Sequence, residues 1–185
     1  MAGSLSTNLA RFVFTITKSV SMSSKFGIFR ILSIVNLLIA GFFVLMLLLA
    51  LLFMPALSPV LIFMLLTGSV VIHSILSIAL QQSLRDPARP LKSNTPGGIR
   101  IMGFMAIFYA VLLITNGIFG LNNMDEMLQQ AMQQLPQNQP APSMASMRSL
   151  MTGLIIFLII HAVAVLVNCA LSFAFLRHWQ ETKNS

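Results

Sequence analysis

Between Ile31 and Leu84 the chain reads ILSIVNLLIAGFFVLMLLLALLFMPALSPVLIFMLLTGSVVIHSILSIALQQSL, without one Asp, Glu, Lys or Arg. About 20 apolar residues of helix cross a bilayer core of ~30 Å, so this stretch is long enough to cross, turn and return. The turn belongs at Met54-Pro55-Ala56-Leu57-Ser58-Pro59. Its two prolines interrupt the helical hydrogen-bond ladder and favour a tight reversal. The first span is therefore expected over about 31–54 and the second over about 60–80.

Two more spans follow by the same reasoning. One covers about 101–121, between Pro96-Gly97-Gly98 and Asn122-Asn123, and one covers about 150–176, closed by Arg177. Backbone groups in lipid must be paired within the segment, so each span should be helical. The fold class expected is an all-α membrane protein, a four-helix bundle over 30–177. It carries an N-terminal cytoplasmic or interfacial segment over 1–29 and a tail over 178–185.

Composition agrees. Of 185 residues, 57% are hydrophobic and 8% charged, and the mean hydropathy is +0.88. A soluble domain is about a quarter charged, because its surface meets water. Lipid is the solvent implied here.

The basic residues set the orientation. Arg11, Lys18, Lys25 and Arg30 precede the first span, and Arg85, Arg89, Lys92 and Arg100 separate the second from the third. Arg177 and Lys183 follow the fourth. Four crossings put these groups on one side, and of the 11 Lys and Arg only Arg148 falls on the other. The positive-inside rule then places both termini on the cytoplasmic or matrix face. A bacterial inner membrane or an organelle inner membrane fits that bias. The formal net charge of +7 is topogenic on this reading, not a nucleic-acid footprint. The basic groups flank membrane boundaries, where they meet anionic headgroups, and no base-stacking aromatics accompany them.

Two segments outside the spans show helical patterning. Leu5, Leu9, Phe12, Val13, Ile16 and Val20 recur at helical spacing with Arg11 and Lys18 between them. This describes a helix lying in the interface, and its Ser-rich, acid-free composition is also that of a targeting peptide. In the outer loop, Met124, Met127, Leu128, Ala131, Met132 and Leu135 form an apolar stripe opposite Gln129, Gln130, Gln133 and Gln134. A short amphipathic helix is expected there, capped by Asn123 with Glu126 completing a capping box. Pro136 ends it, and 137–142 reads as a spacer. The inner connection, 81–99, is expected to be irregular because of Asp86-Pro87, Arg89-Pro90 and Pro96-Gly97-Gly98.

Weak internal matches raise a hairpin duplication. Arg30-Ile31 and Arg100-Ile101 open the first and third spans, Ala40 and Ala110 match at the same offset, and Ile72-His73 resembles Ile160-His161 at another.

No Asp, Glu or Lys lies inside a span. Ion-coupled transport usually places ionisable groups at mid-membrane, and intramembrane hydrolysis needs an activated nucleophile, paired aspartates or a metal triad. Neither pattern is visible, so a non-enzymatic protein is expected. Helix packing should use small and amide residues: Asn36, Gly103, Ala106, Ala110, Asn116, Ala170 and Ala174. The lone Cys169 reads as a small apolar packer.

By elimination, the expectation is an accessory, scaffold or assembly subunit of a larger membrane complex, with lipids and a protein partner or a second copy as neighbours, and no cofactor. Two cofactor readings compete. His73 and His161 lie in spans running in the same direction, at depths differing by ~6 Å from the inner arginines, as axial ligands of haem b would. Met124, Met127, Met144 and Met147, with Met132 and Met151 nearby, offer thioethers that suit Cu(I). The remaining alternative is a passive channel or small-solute transporter.

Overall fold

A computed structural model describes the backbone of residues 2–53, 57–86, 88–133 and 143–183, and the side chains from residue 25 onward within those ranges, except 52–53 and 57–59. Five helices account for nearly all of it: α1 Ala2–Phe53, α2 Leu57–Arg85, α3 Thr95–Asn122, α4 Met124–Gln133 and α5 Met144–Lys183. No strand occurs among the described residues. Four of the helices are long and apolar enough to cross a membrane. The turn at 54–56, the spacer at 137–142 and the N-terminal apolar stripe fall outside the described backbone or side chains.

Helix ends differ from the sequence reading in informative ways. The N-terminal segment is not a separate helix, since α1 continues unbroken from Ala2 to Phe53. At ~1.5 Å per residue its 52 residues span roughly 78 Å, far more than a ~30 Å hydrocarbon core. α2 runs on to Arg85, so Gln81 is helical and 3% exposed, not part of the loop. Asn123 opens α4 through its carbonyl, which accepts from the Met127 N–H at 3.1 Å, but its side chain does not cap that helix: its Nδ2, like its backbone N–H, donates back to the Phe119 carbonyl. That correction follows from the geometry of a helix end, where free carbonyls attract a nearby amide. α5 begins with a cap the sequence reading missed. Ser143 Oγ accepts from the Ser146 N–H at 3.2 Å.

The four long helices form a square in cyclic order. α1 packs on α2 and α5, α3 packs on the same two, and α2 and α5 touch across the centre. Among the described residues α1 and α3 do not meet. α4 rests on the α3 and α5 ends through buried Met124 and Leu128, with Asp125, Glu126, Gln129 and Gln130 outward.

The half of the core nearer α4 is apolar, built from Ala40, Leu66, Val70, Ala106, Tyr109, Ala110, Ala162, Val165 and Cys169. Phe29, Leu80, Ile99, Phe175 and Leu176 close the opposite end. Phe29 and Phe175 stack there, centroids 5.2 Å apart. The bundle surface is apolar in its turn. Leu38, Leu65 and Phe104 are each 67% exposed, the inverse of a soluble surface and suited to acyl chains.

Candidate functional site

The interior between the two apolar layers is polar. Along α2, Ser69, His73, Ser77 and Gln81 recur every fourth residue and are all buried, which puts them on one face. Ser33 and Asn36 on α1 and Asn168 and Ser172 on α5 are buried as well. The side chains therefore meet where α1, α2 and α5 converge.

Their bonds form a seam. Gln81 Nε2 donates to Ser33 Oγ at 2.9 Å and to the Phe29 carbonyl at 3.4 Å. The single Ser33 hydroxyl proton is shared between the Phe29 carbonyl, 2.8 Å away, and Asn168 Oδ1, 2.9 Å away. Ser33 thus uses both its donor and its acceptor capacity and links three helices. One turn deeper, Asn36 Nδ2 donates to the Ala164 carbonyl at 3.3 Å. Ser77 Oγ donates to Ser172 Oγ at 3.3 Å, and His73 Nε2 lies 3.5 Å from the same Ser77 oxygen.

The seam is incompletely paired. Asn36 Oδ1, His73 Nδ1 and Ser74 Oγ are buried with no hydrogen-bond partner. The Ile99 backbone approaches the His73 ring, but no bond of good geometry reaches Nδ1. Burial without a partner costs about 1–3 kcal/mol per group, and water commonly satisfies such atoms.

The two histidines occupy different layers. His73 lies against Phe173, centroids 6.3 Å apart, and its Cε1 faces Gly103. His161 sits between Tyr109 and Phe43, at 6.3 and 6.4 Å, with both ring nitrogens unpartnered. Thr67, which faces Tyr109, is six residues from His73 on α2, and Tyr109 is six residues from Gly103 on α3. Both intervals give ~9 Å along the bundle. This packing sets the two imidazoles against different neighbours and does not bring them together.

The remaining expectations divide. Asn36, Gly103, Ala106 and Ala110 lie inside the bundle. A Cβ on Gly103 would sit 2.6 Å from Phe173 Cζ, so the missing side chain is what lets that ring approach. Asn116 is exposed and bonds its own helix at the Leu112 carbonyl, 2.8 Å away. Ala170 and Ala174 are exposed on α5 and do not pack within this chain. Their small size said nothing about which face of α5 turned inward. Of the thioethers, Met124 is buried under α4, whereas Met127 and Met144 are exposed and Met147 is half-buried. Among the described residues no group of three or more His, Cys, Asp or Glu is placed to hold a metal ion.

No family model, curated protein or solved structure matches the chain.

Sequence reasoning missed Ser33, Ser77, Gln81 and Ser172. The signal was present in the four-residue polar period on α2, which ran past the assumed end of the span.

Proposed function

We propose that this chain is a non-enzymatic accessory or assembly subunit of a larger membrane complex, with both termini on the cytoplasmic or matrix side. The observation that supports this most is the Gln81–Ser33–Asn168 seam. It ties three helices by neutral polar groups, without a charged residue in the interior. Interhelical hydrogen bonds of this kind contribute about 0.6–2 kcal/mol each, enough to fix one arrangement of the bundle. A rigid, chemically quiet body with a lipid-like surface suits a structural role. The outward Ala170 and Ala174 have the small-xxx-small spacing that admits a second helix at close range, and a partner subunit would supply it.

Gentle detergent extraction from native membranes, followed by mass spectrometry and an absorption spectrum, tests this reading. Stoichiometric companion subunits and no visible chromophore are expected. A chain that purifies alone and carries a coloured group or bound Cu(I) would overturn it.

A second reading, a path for water or a small neutral solute, draws on the orphaned atoms of Asn36, His73 and Ser74. Liposomes holding the purified chain should then leak such a solute faster than empty ones, and His73→Phe should stop the leak.

A further inference from the structure

At the inner end of the bundle, α1 and α2 part to leave a cleft of about 140 Å³. Arg30 and Arg85 stand on its two walls, with Gln82 beside them and Ile34 and Ile78 toward the hydrocarbon. Both arginines are exposed, and neither forms an ion pair or side-chain hydrogen bond among the described residues. No acid among the described residues pairs with either of them. The chain has four acids; Asp125 and Glu126 lie on the outer side, Asp86 pairs with Arg89 and Glu181 with Arg177.

Gln81 fixes the spacing of the two walls. Its amide bonds the Phe29 carbonyl, immediately before Arg30, and the Ser33 hydroxyl, one turn inward. Arg30 and Arg85 thereby stand on opposite walls of one opening, with no acid among its lining residues. A guanidinium presents a planar fork of donors that matches phosphate oxygens, often with two bonds per group. Next to a membrane boundary, the phosphate within reach is that of a phospholipid, and the isoleucines below continue as a surface for its acyl chain.

We propose that this cleft binds the phosphate of one anionic phospholipid between Arg30 and Arg85, with an acyl chain lying over Ile34 and Ile78. The proposal needs only that the helices cross a membrane and is independent of the accessory role above.

The molecule contains its own comparison. A second inner cleft of about 300 Å³, between α3 and α5, is lined by Arg100, Arg177 and Gln180 above Phe104 and Phe173. There the charges are already engaged. Arg100 Nη2 donates to Gln180 Oε1 at 3.1 Å, and Arg177 pairs with Glu181 at 3.0 Å. The Arg177 charge is already shared with the Glu181 carboxylate, so the α1/α2 cleft is the tighter site.

Delipidated protein in neutral detergent is titrated with phosphatidylglycerol, phosphatidylcholine of the same acyl chains, or inorganic phosphate, and adducts are counted by native mass spectrometry. The wild type should retain one phosphatidylglycerol at least tenfold more tightly than either other probe. Arg30→Gln combined with Arg85→Gln should erase that preference, Arg30→Lys with Arg85→Lys should keep part of it, and Arg100→Gln with Arg177→Gln should leave most of it. Equal retention of the two lipids by the wild type would overturn the proposal without reference to any variant. So would inorganic phosphate binding as tightly as phosphatidylglycerol, or an equal loss in both glutamine pairs.

Discussion

Gln81 on α2 donates a 2.9 Å hydrogen bond to Ser33 on α1, although 48 residues separate them in the chain. The contact joins two antiparallel helices inside a region shielded from water. It also reaches α5, because the Ser33 proton is shared with Asn168.

Replacing Gln81 with Leu removes two donor contacts and leaves Ser33 without its donor. The expected loss is about 1–2 kcal/mol of unfolding free energy in mixed micelles. A double-mutant cycle with Ser33→Ala should show that the two positions couple. Additive losses would mean that the bond contributes nothing in the membrane.

Gly103 is held open for Phe173, so its replacements should be graded. Gly103→Ala forces the ring aside and should cost about 1 kcal/mol, and Gly103→Leu should cost about 1–3 kcal/mol or more through overpacking. Phe173→Leu should recover part of the first loss. At Gly41 no atom lies within 4 Å of an added Cβ, and Gly41→Ala should be neutral or better, since Ala favours helix. Thermal unfolding in detergent compares the four variants. Equal behaviour of the two glycines would contradict the packing.

Sidedness can be read with single cysteines, because Cys169 is fully buried and should give little background. Ser93→Cys lies in the exposed loop between α2 and α3 and Gln130→Cys on the solvent-exposed face of α4. In sealed vesicles an impermeant maleimide should label these two from opposite sides. Labelling of both from the same side would remove the four-crossing arrangement.

The separation of the histidines has a spectroscopic consequence. Protein purified from haem-replete cells should show no Soret band that depends on both residues. A band abolished by His73→Ala and equally by His161→Ala would require a packing other than this one.

α4 is attached by two buried apolar side chains, Met124 and Leu128, 4% and 1% exposed, and by an exposed ion pair of Asp125 with Arg148 at 3.3 Å. Leu128→Ser should free the helix locally while leaving the bundle intact. Amide exchange over 124–133 should rise at least tenfold with no change at Ser33 or Ser77. Global loss of protection would mean that α4 holds the bundle together.

The sequence alone determined the number of helices long and apolar enough to cross a membrane, their approximate limits and their helical form. Those follow from a free-energy cost paid residue by residue: charged groups and unpaired backbone are expelled from hydrocarbon wherever they occur, so stretches such as 31–84 announce themselves. Gly103, Ala106 and Ala110 were also legible as packers, since close helix approach demands small residues whatever the partner. Only the tertiary structure decided which helices are neighbours and how each is rotated. In a span that is apolar all round, as α3 and α5 are, no amphipathic stripe points inward, and Ala170 looks no different from Ala106. The rotation is set by mutual shape and by scattered polar contacts such as Ser33 with Asn168. Those contacts depend on where other helices stand, which the order of residues along one helix does not contain.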